Sequence, residues 1–254
     1  MSKPRVHNPL SASSFYKIRE SIRDVEGWLT PREAEFLAIA AANPTAEGEI
    51  LEFGSFQGKS TIVMAMATRL SGQSTPITTI DFEKQAELEP NLFRAGVHNQ
   101  VKTIHSDSSS QIAKWDRPLR MVFFDGANDV KTVTSDVHGI LPWVNDRGIL
   151  AFHDVLNRSG DRVKVFIDTI LGNPQIGAAG ICGSLGWAQY CKNPMDTKQH
   201  TELKAKLANK LQRLWHYHTP SRRQSRISRT QYKLLRALVP HGDLKVNRWL
   251  HLVA

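Results

Sequence analysis

At 254 residues and 28.5 kDa, the chain has room for one large α/β domain with an appendage. With 41% hydrophobic and 22% charged residues it reads as a soluble globular protein, and its longest apolar run, Phe36 to Ala42, is far too short to cross a bilayer. Charge is unevenly placed: residues 192 to 254 carry 14 Lys and Arg against three Asp and Glu, a net +11, while the rest of the chain is close to neutral at −2. The start, MSKPRVHNPLSASS, has no apolar segment behind its basic residues, which speaks against a secretory signal. Cys182 and Cys191 are then expected to be reduced, and the protein cytoplasmic.

In chain order, Phe15, Ile18 and Ile22 give Ser13 to Val25 helical spacing. Thr30-Pro31-Arg32-Glu33 is a capping box with proline at the first helical position, so a second helix starts there. Strands are predicted at Glu49 to Phe53, Ile77 to Ile80, Val101 to His105, Met121 to Phe124 and Ile149 to Phe152. Helices are expected between them, starting near Ser60, Lys84, Ser109 and Val130. Such alternation implies βαβ units and a doubly wound, mostly parallel Rossmann-like sheet covered on both faces. A helix from Asp161 to Leu171 leads to two apolar runs, Ile176 to Cys182 and Leu185 to Cys191, read as an antiparallel pair at the sheet edge. Thr197 to His218 is a basic amphipathic helix carrying Leu203, Leu207, Leu211 and Leu214, Pro220 to Ser228 a basic linker, and Gln231 to Val239 a last helix. The expected organisation is a helical lead-in (1–25), a central domain (26–192) and a basic helical extension (193–254). The extension suits packing on the body or homo-oligomer formation through its helices, with nucleic acid or an anionic membrane surface as rival partners.

The segment EILEFGSFQGKST, residues 49 to 61, reads strand, glycine turn, helix. Glycines 54 and 58 allow close backbone approach, and the helix start that follows is partially positive. A carboxylate at Glu52 in front of that turn suits an amino or sulfonium group better than pyrophosphate, which points to S-adenosyl-L-methionine. The dinucleotide fingerprint is absent, and the phosphate loop ending in Gly58-Lys59-Ser60 is one residue short.

In an open parallel sheet the ligand sits beyond the C-terminal strand ends, and every predicted strand ends in a polar group there. Asp81 is placed to accept from both ribose hydroxyls, while Asp107 and Ser108 border the adenine or merely cap a helix. Asp125, His153 and Asp154 converge from neighbouring strands as the candidate catalytic residues. Two carboxylates and an imidazole suit a divalent cation, with Mg²⁺ expected, which would lower the pKa of an acceptor hydroxyl.

Together, EGWLTPREAEFL, EILEFGSFQGKST, ITTIDF, IHSDSS, MVFFDGANDVKTVTSDV, GILAFHDV and GSLGWAQY resemble the class I S-adenosylmethionine-dependent methyltransferases. The likeness is to the branch of methyltransferase domain family 24 that includes macrocin O-methyltransferase and the cephalosporin hydroxylase-like proteins. The resemblance implies a seven-stranded sheet with an antiparallel edge strand. It implies cofactor binding by Glu52, Gly54, Ser55, Asp81 and Asp107, and often Mg²⁺ near Asp125 and Asp154; the reading of the residues themselves adds Gly58, Ser60, Ser108 and Asp125 to the cofactor site and His153 to the metal site. Two departures stand out: Asn128 occupies a position where the family commonly has histidine, and Val155 follows Asp154 where related catechol enzymes have asparagine. Asn128 takes no proton, so a base has to come from His153 or Asp129, or the metal must suffice. The expected function is methyl transfer to a hydroxyl of a small acceptor, a sugar or glycosylated metabolite. The alternatives are an RNA methyltransferase whose tail residues Arg222, Arg223, Arg226, Arg229, Trp215, Tyr217 and Tyr232 follow the nucleic acid, and a degenerate cofactor-binding protein.

Overall fold

The structure is a computed structural model that describes residues 9–158, 161–193, 198–218 and 226–240. Two N-terminal helices, α1 (Ala12–Ser21) and α2 (Pro31–Ala42), precede the sheet. Then come β1 (Glu49–Phe53), α3 (Lys59–Leu70), β2 (Ile77–Asp81), α4 (Leu88–Arg94), β3 (Val101–His105) and α5 (Ser108–Ile112). The second half holds β4 (Leu119–Phe124), α6 (Val130–Ile140), β5 (Val144–Phe152) and α7 (Arg162–Val165), whose chain continues as a π-helical turn over Phe166–Leu171. The chain finishes with β6 (Ile176–Cys182), β7 (Leu185–Tyr190), α8 (Lys198–Trp215) and α9 (Arg226–Ala237). Among the described residues no helix is long and apolar enough to cross a membrane.

The seven strands run in the order β3-β2-β1-β4-β5-β7-β6. The first five are parallel, and the hairpin of β6 and β7 closes one edge antiparallel, with β7 against β5 and β6 outermost. Period-two alternation sorts each central strand between two apolar layers. Ile50, Met121, Phe123, Ile149 and Ala151 join the layer under α1, α2 and α3, while Leu51, Phe53, Val122, Phe124, Leu150 and Phe152 join the layer under α6, α7 and the C-terminal helices. Strand order switches direction between the parallel neighbours β1 and β4, so the β1 and β4 ends form a crevice for a ligand.

Several expectations shift. The first helix stops at Ser21 rather than Val25, where the Ile22 and Arg23 amides close it by donating back to the Arg19 and Glu20 carbonyls. The helix expected near Lys84 begins at Leu88. The last helix starts at Arg226, inside the expected linker, of which residues 220–225 lie outside the described residues. Leu207, Leu211 and Leu214 are buried in the second apolar layer with Tyr232 and Val239, so the basic extension is part of that core. Each fully buried leucine contributes roughly 1.5–3 kcal/mol. Leu203, expected on the same stripe, is largely exposed, and Lys204 takes the buried place, donating to the carbonyls of Asn173 and Ile176 at the end of the π-helical segment. Cys182 and Cys191 are both buried free thiols.

Candidate active site

Glu52 stands on the Ile50 face of β1, and that face is roofed by the start of α3. Its carboxylate is therefore 0% exposed and accepts hydrogen bonds from the hydroxyls of Ser60 and Thr61. Burial raises its pKa to about 7 in spite of those bonds. The expectation that Glu52 faces a cationic ligand is corrected: it anchors α3 from beneath, and Ser60 likewise points inward. The glycines are also used differently from expectation. Gly54 has φ +90°, and a Cβ there would lie 2.5 Å from the backbone nitrogen of Gly126. Gly58 has φ +89° and would meet Leu88 at 2.9 Å. Both close approaches are to the protein's own chain, and they fix the shape of the turn.

Asp81 ends β2 at the mouth of that turn. One carboxylate oxygen accepts from the Phe56 amide at 2.8 Å and from the buried Ser55 hydroxyl at 3.4 Å, and the other accepts from the Glu83 amide at 2.9 Å. Asp81 remains partly exposed, so it both shapes the turn and faces the crevice. Asp107 is exposed and caps α5, accepting from the Ser109 hydroxyl and the Ser110 amide, which hold its pKa at about 2. The helix-cap alternative thus describes Asp107, and Ser108 turns away to donate to Asp136 at 2.8 Å.

Above the turn lies a cavity of about 440 Å³, lined by Arg23, Asp24, Val25, Glu26, Gly27, Trp28, Phe56 and Lys59. Trp28 is 76% exposed, with its ring 5.1 Å from that of Phe56. Neither aromatic stood out in the sequence, since an isolated exposed tryptophan has no periodic signature.

The β4 and β5 exits carry a buried charge network. His153 Nδ1 is 2.9 Å from Asp125 Oδ1, and its Nε2 is 3.5 Å from Glu33 Oε2, an ion-pair distance rather than a well-formed hydrogen bond. Burial disfavours the charged ring, but Asp125, Glu33 and Asp154 outweigh it and raise the His153 pKa to about 10. Glu33, on α2, also accepts from the Ser184 amide at 2.6 Å and from Thr30, and these contacts override burial to hold its pKa at about 2. Ser184 in turn receives the Val155 and Leu156 amides, so Glu33 braces the β5 exit through the β6–β7 turn.

Arg162, only 3% exposed, completes the network. It donates to Asp125 Oδ1 at 3.2 Å and to the carbonyls of His153, Gly126 and Ala127 at 2.9, 2.9 and 3.0 Å. Asp154 has φ +57° and accepts from the Asn157 side chain at 3.0 Å. These contacts correct two expectations. Each ring nitrogen of His153 faces one of the protein's own carboxylates, Nδ1 toward Asp125 and Nε2 toward Glu33, which is the arrangement of a structural cation rather than of a metal ligand or a base. The donor set does not fit Mg²⁺ either: the carbonyls that would complete a six-oxygen shell accept from Arg162, and among the described residues no group of three or more His, Cys, Asp or Glu side chains is arranged for a metal.

At the tail, Tyr232 is buried and donates to the Leu156 carbonyl at 2.7 Å, while Trp215 and Tyr217 pack on the second apolar layer. These rings are packing residues rather than a base-stacking platform. Arg222 and Arg223 lie outside the described residues, as does the Arg226 side chain.

A doubly wound sheet with a crevice at β1 and β4, a glycine turn at β1 and an acid ending β2 defines a class I methyltransferase fold. Residues 51–155 match the model of a family described as a methyltransferase domain, a span that runs from β1 to the β5 exit. Solved structures share the fold. The O-methyltransferase TomG from Streptomyces achromogenes, involved in tomaymycin synthesis and solved with SAM, is 19% identical over 72% of this chain and 91% of its own, with a TM-score of 0.55. An O-methyltransferase from Bacillus cereus in complex with SAH is 18% identical over 71% of this chain and 92% of its own, at 0.52. The SAH-bound methyltransferase PaMTH1 from Podospora anserina is 16% identical over 73% and 90%, at 0.55.

Proposed function

We propose that this protein binds S-adenosylmethionine over the Gly54–Gly58 turn and transfers its methyl group to a hydroxyl oxygen of a small acceptor. The observation that carries the reading is Asp81: a partly exposed carboxylate at the end of β2, locked onto the glycine turn through the Phe56 amide. A carboxylate so placed can accept from two vicinal ribose hydroxyls. SAM and SAH in the fold relatives named above are consistent with it.

When bound, S-adenosylmethionine supplies a methyl group activated by a sulfonium leaving group: an acceptor oxygen takes it in line, the carbon–sulfur bond breaks to leave S-adenosylhomocysteine, and the hydroxyl proton passes to solvent. The chain's own part is then mainly positioning. Asp81 holds the ribose end, and the Gly54 and Gly58 conformations shape the floor. Asp125, at the β4 exit, has its charge matched by His153 and Arg162, which hold its carboxylate in a fixed position beside the crevice. The Trp28–Phe56 pair supplies an apolar, polarizable surface that keeps water from the opening. No step is routed through a metal, because the donor set does not fit one.

Titration calorimetry with S-adenosylhomocysteine tests the reading: micromolar binding is expected, and no heat at high micromolar ligand in a folded sample ends it. A sugar or glycosylated metabolite as acceptor remains the working proposal, to be checked by following S-adenosylhomocysteine release across a panel of hydroxylated compounds.

A further inference from the structure

We propose that Arg162 is the resident cation of this active site: it lies where the sequence predicts a magnesium ion and ties the exits of β4 and β5 together in place of one. A divalent ion there would link a carboxylate after β4 to a group after β5 and draw nearby carbonyl oxygens inward. Arg162 already makes those links, from Asp125 Oδ1 and the Gly126 and Ala127 carbonyls on one side to the His153 carbonyl on the other.

The guanidinium suits this task for a chemical reason. It is planar, permanently charged and carries five N–H donors, and it spreads four bonds over acceptors from two loops. A lysine ammonium has three donors on one atom and reaches neither the same number nor the same spread. Arg162 itself is closed off from solvent, at 3% exposed, although Asp125 beside it keeps 28% of its side chain exposed. It therefore does not touch an acceptor; it is a positioning residue that fixes the Asp125–Asn128 loop, which the Asp161 amide also holds through the Asn128 carbonyl at 3.3 Å. A divalent ion drawn to Asp125 would meet Arg162 on one side and the His153 ring, bracketed by Asp125 and Glu33, on the other. Asp154, the second expected ligand, is turned by its left-handed backbone onto Asn157. This inference rests on the location of the site proposed above, and not on the identity of the cofactor.

Titrating Mn²⁺ into chelator-treated full-length protein and following the free ion by electron paramagnetic resonance tests it directly. No binding tighter than millimolar is expected. Stoichiometric micromolar binding that Asp125→Asn abolishes overturns the proposal. A second arm measures S-adenosylhomocysteine affinity, expected to change less than about twofold between chelator and excess Mg²⁺. In Arg162→Ala that affinity should fall roughly tenfold and be restored by millimolar guanidinium ion but not by Mg²⁺. Restoration by Mg²⁺ instead would show that the position is a metal site after all. If Arg162→Ala does not fold, the Mn²⁺ titration of the unaltered chain decides alone. If that chain binds no S-adenosylhomocysteine, the cofactor reading fails while the metal question is still answered.

Discussion

On the β1–β2 side of the crevice, polar groups are tied within one strand-helix-strand unit, over no more than 26 residues. Glu52 bonds Ser60 and Thr61, eight and nine residues on, and Asp81 reaches the neighbouring turn through backbone amides. On the β4–β5 side, the ties span the chain: Glu33 to Ser184 is 151 residues, and Arg162 to Asp125 is 37. The first side is a neutral, hydrogen-bonded floor whose one buried acid titrates near neutrality. The second is a lattice of full charges held ionised by each other. The difference teaches that a ligand-shaped turn can be built locally, whereas a charged wall beside a reaction centre has to be neutralised from distant elements.

The comparison can be broken most strongly at Glu33. Glu33→Ala leaves the Ser184 amide without its acceptor and takes away one of the two carboxylates that bracket the buried His153 ring, and removal of one member of a buried ion pair costs about 3–5 kcal/mol. Urea denaturation should show that loss; a change within experimental error would mean the charged side is not held together as described.

The next effect is a pH dependence on the neutral side. Glu52 has a folded pKa of about 7, above its ordinary 4.5, so its contribution is fully present below 4.5 and is lost as pH rises through 7. The loss amounts to about 3 kcal/mol at 1.36 kcal/mol per unit. Glu52→Gln should flatten the melting temperature against pH across that window. His153, raised from 6.5 to about 10, predicts a separate decline from 6.5 through 10 that Glu52→Gln leaves intact. Glu33, lowered from 4.5 to about 2, adds a loss on the acid side as pH falls from 4.5 through 2.

Between the two acids at the β2 and β3 exits, Asp81→Ala should weaken S-adenosylhomocysteine binding at least tenfold, about 1.4 kcal/mol. Asp107→Ala should lower stability slightly as a lost helix cap and leave affinity nearly unchanged by calorimetry. Equal losses of affinity would return Asp107 to the ligand. The smallest effect belongs to the tail: Tyr232→Phe removes the bond to the Leu156 carbonyl and should cost about 1 kcal/mol in the same urea assay.

The parallel sheet was readable because short β-branched and aromatic runs alternate with capped helices, and the Thr30–Glu33 capping box stands where the sequence puts it. Asp81 was readable for the same reason, being fixed by its place after a strand. Glu52 shows the limit of a motif taken without its pleat: counted in steps of two from Ile50, it belongs under α3, facing away from the crevice. Glu33 was visible only as the third residue of a helix, and its long-range partner Ser184 has no signal in a single chain. Arg162 had none either, since an arginine at a helix start looks like surface until the loops around it are in place. The tail helices were recognised, but the exchange of Leu203 for Lys204 as the buried neighbour depends on carbonyls left open at the end of the π-helical segment.

Gly54 presses on Gly126, so the turn after β1 and the turn after β4 share one backbone wall. Neither can be exchanged alone for the matching segment of another methyltransferase without a collision at that wall. Grafts aimed at changing which acceptor is methylated will therefore succeed only as matched pairs of turns, or by leaving both alone and varying the rim formed by residues 23 to 28.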